Sequence, residues 1–258
     1  MSKIFISSGC SYSECTTPRK FLSTWPRHLE DILVNHGYNE FVHGGLGSQG
    51  NGLISRKAIY NVTEALKNYK ASDILVGIMW SGPDRGDYRC FSPELLKFKN
   101  QDVHNGWQEN PTSFVKGAPN HWVIMNHSWS NDPMNPKTSR NRSNPECKIY
   151  YENFYDMLGS TIYTLEHMLR VQWFLKCNNI KYFFTTYQDF VLQHNIQDIE
   201  TSYLYSMLDK DNFLPVTSEA GFLNKRCGRH EGEHPITEEH KIFTDEIILP
   251  WLKQKNII

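Results

Sequence analysis

An α/β fold of three layers, with a parallel sheet between two layers of helices, is predicted by the alternation of short apolar runs with segments of helical period. Two observations carry that expectation. The run Asp73-Ile74-Leu75-Val76-Gly77-Ile78-Met79-Trp80 is apolar almost throughout, which suits a central parallel strand buried on both faces. Further on, Phe154, Leu158, Ile162, Leu165, Leu169 and Trp173 recur at spacings of three and four, the period of a long amphipathic helix.

The elements follow in order. Lys3-Ile4-Phe5-Ile6-Ser7-Ser8 reads as a first strand, closed by the turn Gly9-Cys10-Ser11-Tyr12-Ser13. Thr24-Trp25-Pro26 opens a helix with a capping hydroxyl and an early proline, and Trp25, Leu29, Ile32 and Leu33 mark its inner face. His36-Gly37 ends it. Phe41-Val42-His43 is a second short strand, and from about Asn51 to Tyr69 the residues Ile59, Val62, Leu66 and Tyr69 share one helical face. After the central strand, the segment from Arg85 to Cys147 is rich in Asn, Pro, Gly and Ser, holds Trp107, Trp122 and Trp129, and has no sustained period. A stretch that long inside one domain is uncommon and usually functional, so it is read as an insertion or lid. Lys181 to Tyr187 is the next strand, Gln188 to Arg229 a second irregular region with short helices, and Thr237-Glu238-Glu239 starts a final helix with Phe243, Ile247 and Trp251 inward. The chain is thus expected to be a single domain over residues 1–258, with residues 85–147 inserted after the third strand.

Composition narrows the function. Lys plus Arg number 27 against 28 Asp plus Glu, a net charge of −1, so electrostatics argue for neither nucleic acid nor an anionic membrane as partner. The six cysteines (Cys10, Cys15, Cys90, Cys147, Cys177 and Cys227) show no close pairs at metal-ligand spacing, and are expected to be reduced thiols of a cytoplasmic protein. Met1-Ser2-Lys3 leads straight into the first strand and no apolar run approaches membrane-spanning length, so the protein is expected to be soluble and to carry no export signal. A virion component released by lysis is expected to look the same.

The chemistry-bearing residues lie at the two ends. A strand, a glycine turn and a serine present a hydroxyl at the carboxyl edge of a parallel sheet, and Glu231-Gly232-Glu233-His234-Pro235 precedes the last helix. In this pairing the chain resembles the SGNH (GDSL-type) hydrolases, whose first block reads Gly-Asp-Ser-Xaa-Ser/Thr and whose last reads Asp-Xaa-Xaa-His-Pro. His43-Gly44-Gly45-Leu46-Gly47-Ser48-Gln49-Gly50-Asn51 is similar to the family's second, glycine-rich block, and Ile78-Met79-Trp80-Ser81-Gly82-Pro83-Asp84 stands where the third belongs. The similarity reaches toward the divergent, phage-encoded members. Two positions depart from the pattern: Cys10 replaces the first-block Asp, and Ser81 replaces the third-block Asn that helps bind the oxyanion.

The resemblance implies a flavodoxin-like sheet and a serine esterase or acylhydrolase that needs no metal or organic cofactor. Ser11 is then the nucleophile, His234 its general base and Glu231 the acid that orients the base. Donors to the oxyanion are the N–H of Ser11, a second from Gly47 or Ser48, and the Ser81 hydroxyl. Asn51 and Trp80 are expected in the substrate pocket, with Asn51 as a helix cap the plainer alternative. Trp107, Trp122 and Trp129 are expected to supply stacking surface, their plainer role being a small core of the insertion. The substrate class is a small or carbohydrate-linked acyl ester; the oligomeric state is open. From a different class, a catalytically impaired binding or structural module of the same fold is the alternative. A third reading takes His230-Glu231-Gly232-Glu233-His234 as a zinc-hydrolase string. That string works only within a helix, and Gly228, Gly232 and Pro235 disfavour one.

Overall fold

In the computed structural model the described residues are 2–15, 23–47, 49–89, 122–126, 153–186, 198–214 and 235–258. Strands β1 (Lys3–Gly9), β2 (Tyr38–His43), β3 (Ile74–Trp80) and β6 (Lys181–Thr186) form one sheet in the order β2-β1-β3-β6, every pair parallel. Strands β4 (Arg85–Arg89) and β5 (Trp122–Asn126) form a separate antiparallel ribbon. The segment expected to lack regular structure therefore leaves β3 as a strand after a four-residue turn, and Trp122 is paired in register with Arg89.

Side chains alternate across β1, so Ile4 and Ile6 face one core and Phe5 the other. The first core joins them to Ile54 and Val62 of α2 (Asn51–Ala65) and to Leu165 and Leu169 of α3 (Met157–Cys177). The second joins Phe5 to Trp25 and Leu29 of α1 (Trp25–Leu33) and to Phe243, Trp251 and Leu252 of the carboxyl-terminal helices. Between α3 and those helices lies the short α4 (Ile199–Ser206). The last helical stretch has three parts: α5 (Thr237–Phe243), a π-helical turn (Thr244–Ile248) and α6 (Leu249–Gln254). The protein is accordingly a mixed α/β protein with helices on both faces of a four-stranded parallel sheet.

Three local expectations are corrected. Thr24 precedes α1, but its hydroxyl donates to the Glu14 carbonyl (3.2 Å) rather than capping the helix. In α3 the buried residues are Thr161, Thr164, Leu165, Met168, Leu169, Val171, Gln172 and Leu175, while Trp173 is 52% exposed and Phe154 lies before the helix, 73% exposed. The stripe is turned because polar residues with partners occupy inward positions: Thr164 accepts from Asn51 (3.1 Å), and Gln172 binds the backbone of Met207 and Asp209 (2.9 and 2.7 Å). Asn51 does not cap α2. That task falls to Asp87 of β4, whose carboxylate accepts from the Gly50 and Leu53 amides (2.9 and 2.7 Å).

Candidate functional site

The strand order reverses between β1 and β3, where open parallel sheets form a crevice beyond their carboxyl ends. Gly9 of β1 pairs with Met79 of β3, so Ser11 and Ser81 each stand two residues past that pair. Residues Ser11–Ser13 form a single 3-10 turn. Ser13 fixes it to α1 by accepting from the Trp25 indole (2.8 Å). A side chain at Gly9 would overlap Ser13 and approach the Met79 carbonyl to 2.8 Å, which explains glycine at the strand end. Ser11 is 6% exposed, and Cys10 is packed beneath the turn in the core.

The glycine block lies directly on this turn. Gly44 N–H donates to Ser7 O (2.8 Å), Leu46 N–H to Gly9 O (3.2 Å), and the Gln49 amide donates to the carbonyls of Gly9 and Gly44. A Cβ on Gly45 would collide with the Ser13 carbonyl, so only glycine permits the approach. Gly47 is buried in the following turn; Ser48 lies outside the described residues.

At the end of β3, Asn51 holds Ser81 by both backbone groups. Its Oδ1 accepts from Ser81 N–H (2.8 Å) and its Nδ2 donates to Ser81 O (2.9 Å). The Ser81 hydroxyl is buried and has no hydrogen-bond partner among the described residues, and the same holds for the Trp80 indole N–H and the hydroxyls of Thr185 and Thr186 at the end of β6. Buried polar atoms are ordinarily paired, so four such groups at the carboxyl ends of two adjacent strands mark this edge. The Trp80 ring itself is a core element, edge-on to Phe184 at 5.3 Å, rather than an open surface.

His234, Glu231 and His230 lie outside the described residues, as do Trp107 and Trp129. The helix that follows His234 is nevertheless anchored beside the serine turn. Thr237 Oγ1 accepts from Ser23 N–H (3.0 Å), and the His240 ring meets Tyr12, the neighbour of Ser11, edge-on at 6.4 Å. Glu239 reaches back to the Ile236 N–H (2.7 Å) and closes the helix start. Among the described residues no group of three or more His, Cys, Asp or Glu could hold a metal ion, and no helix is long and apolar enough to cross a membrane.

Two features escaped the sequence reading. Ser7 and His43 are register partners across β1 and β2; the Ser7 hydroxyl binds His43 Nδ1 (2.8 Å), and His43 Nε2 meets Glu30 of α1 (3.1 Å). These residue types resemble a catalytic relay, but Ser7 is fully buried under α1, so the relay pins helix to sheet. Burial holds the His43 imidazole below its ordinary pKa despite Glu30. The second feature is a cavity of about 540 Å³ framed by the start of α2, residues Pro83 to Asp87 and the first turns of α3. Asn51 lines it and so joins it to Ser81, while Ser11 is not among its lining residues. Neither feature has a local signal, because each assembles residues from three elements.

No protein-family model matches the chain, and no curated protein matches it. The fold and the site together define an α/β protein whose polar groups gather at the carboxyl edge of its parallel sheet, around Ser11 and Ser81.

Proposed function

We propose that the chain is a serine esterase or acylhydrolase of SGNH type, acting on a small or carbohydrate-linked acyl ester. The observation that carries the reading is the seating of the glycine block on the serine turn at the β1/β3 crevice, with Leu46 and Gln49 both bonded to the Gly9 carbonyl. Such a turn needs a base. In the sequence His234 stands three residues ahead of Thr237 (237 minus 234), a reach of at most ~10 Å for extended chain, and Thr237 is tied to Ser23. On this reading His234 takes the Ser11 proton as Oγ attacks the ester carbonyl. It then returns the proton to the departing alcohol, and water releases the acyl group by the same steps. The Ser11 N–H, the Gly47–Ser48 backbone and the Ser81 hydroxyl stabilise the oxyanion, and Glu231 orients the base. On this reading residues 85–147 are an insertion that sets substrate choice, rooted at β4, which follows β3 after four intervening residues.

The second reading, a binding module without turnover, is favoured by one observation: Ser11 is almost fully buried. Labelling with a fluorophosphonate probe separates the two. Covalent labelling of the parent, lost in Ser11→Ala, is the expected result; an unlabelled parent, or a label that survives the substitution, overturns the hydrolase reading.

A further inference from the structure

After β3 the chain returns over the end of the glycine block. Strand β4 runs so close to Gly50 that a Cβ there would lie 2.5 Å from the Arg85 carbonyl oxygen and 2.9 Å from Asp87 Oδ2. The start of α2 has no cap of its own, since Gly50 carries no side chain and the Asn51 side chain is engaged with Ser81. The Asp87 carboxylate takes that role, Oδ1 accepting from the Gly50 N–H (2.9 Å) and Oδ2 from the Leu53 N–H (2.7 Å). A carboxylate suits a helix start, where the dipole favours negative charge. Arg56 and Lys57 of α2 add attraction, and Glu14, close to Lys57, offsets part of it.

The same short segment is held at its other end by the serine turn. Leu46 N–H donates to Gly9 O (3.2 Å), the Gln49 side-chain amide donates to the carbonyls of Gly9 and Gly44, and Gln49 N–H closes a turn on Leu46 O (3.3 Å). Only Gly47, Ser48 and Gln49 stand between the anchor at Leu46 and the anchor at Gly50. A backbone donor to an oxyanion works through its position alone, and removing one such donor costs about 10²–10³ in rate. Three residues fixed from both sides have little freedom to turn a donor away. Without the Asp87 anchor, one side is open.

Resting on the hydrolase reading, we infer that Asp87 is a positioning residue for the oxyanion: by clamping Gly50 it fixes the Gly47–Ser48 backbone that donates to the reacting carbonyl. The consequence reaches beyond one side chain. Asp87 belongs to β4, at the root of residues 85–147, so the docking of that strand on α2 sets the rate of the chemical step for any ester, small or bulky. A root that served substrate choice alone would leave a small activated ester unaffected.

Fluorophosphonate labelling and hydrolysis of p-nitrophenyl acetate test this on the full chain, in the parent, Asp87→Asn and Asp87→Ala. Asn keeps the shape of Asp and one acceptor oxygen, so rates are expected to fall in the order parent, D87N, D87A, with D87A slowed by about tenfold to 10²-fold. In D87A, kcat and kcat/KM should fall together while KM stays within about twofold, the mark of an interaction made in the transition state. The final extent of labelling separates position from folding. Slow labelling that still reaches the parent's extent is expected; labelling at the parent's rate to a reduced extent means that a fraction of molecules is unfolded, and overturns the inference. Gly50→Ala covers the case in which D87A does not fold. The Gly50 backbone (φ −85°, ψ 172°) suits alanine, so the collision with β4 is its cost, and the same slowed rate is expected; the parent's rate in G50A overturns the inference. An unlabelled parent removes the hydrolase reading and this inference with it, whereas a labelled parent whose rate persists in D87A removes the inference alone.

Discussion

Asn51 and Ser81 are joined by two hydrogen bonds, 2.8 and 2.9 Å long, that tie the first residue of α2 to the backbone just past β3. Both groups of Ser81 are buried, so Asn51 is their substitute for water. Asn51→Ala leaves a donor and an acceptor unpaired, and is expected to lower stability by about 2–4 kcal/mol. Urea denaturation measures it; a loss below ~1 kcal/mol would mean the pincer is dispensable.

Gly45→Ala places a methyl group against the Ser13 carbonyl, a backbone atom that cannot swing aside. The turn holding Ser11 must shift, at a cost of about 2–3 kcal/mol. Fluorophosphonate labelling should slow markedly in the folded variant. Gly37→Ala is the control: nothing lies within 4 Å of its Cβ, though its φ of +85° adds strain far from the site. A labelling rate equal to the parent's in G45A removes the glycine block from the mechanism.

Ser81→Ala deletes a buried hydroxyl with no partner among the described residues, so stability should stay within about 1 kcal/mol of the parent or rise. If the hydroxyl donates to the oxyanion, the rate should fall by about 10²-fold. The separation of the two readouts is what counts. Unchanged kcat would exclude Ser81 as a donor.

Activity toward an activated ester is expected to rise with the neutral fraction of His234, with a midpoint of about 6–7 for an ordinary histidine. Treatment with a chelator should leave it unchanged. Loss on chelation with recovery on adding zinc would transfer the chemistry to His230 and His234 as metal ligands.

Stability should fall in mild acid for a reason that can be located. Burial, and then Arg170 and Arg56, lower His167 from 6.5 to about 4, and burial also lowers His43. In both cases the unfolded chain binds the proton more readily, so their contribution is fully present above pH 6.5 and is lost as pH falls toward the folded value. For His167 the loss is on the order of 3 kcal/mol by pH 4. Asp87, whose carboxyl burial raises, acts in the opposite sense, so the quantity to measure is the difference between parent and His167→Gln. Parallel pH profiles for the two would contradict the assignment.

What the sequence determined by itself is the layout. The apolar runs at Lys3, Phe41, Ile74 and Lys181 all became strands of one parallel sheet, because strand formation there depends on local apolar content and on turns that local glycines provide. The position of Ser11 at the end of β1 follows from the same local pattern. The tertiary structure decided whatever required distant partners. Asp87 caps a helix that begins 36 residues earlier (87 minus 51), Thr164 turns the buried stripe of α3 by bonding Asn51, and Ser7, His43 and Glu30 meet across β1, β2 and α1. The cavity beside Asn51 arises in the same way, from residues on three separate elements, Arg56, Arg85 and His167 among them. Hydropathy period records which side of an element is apolar; it holds no information about which polar side chain will find a buried partner, because that pairing exists only once the elements have packed.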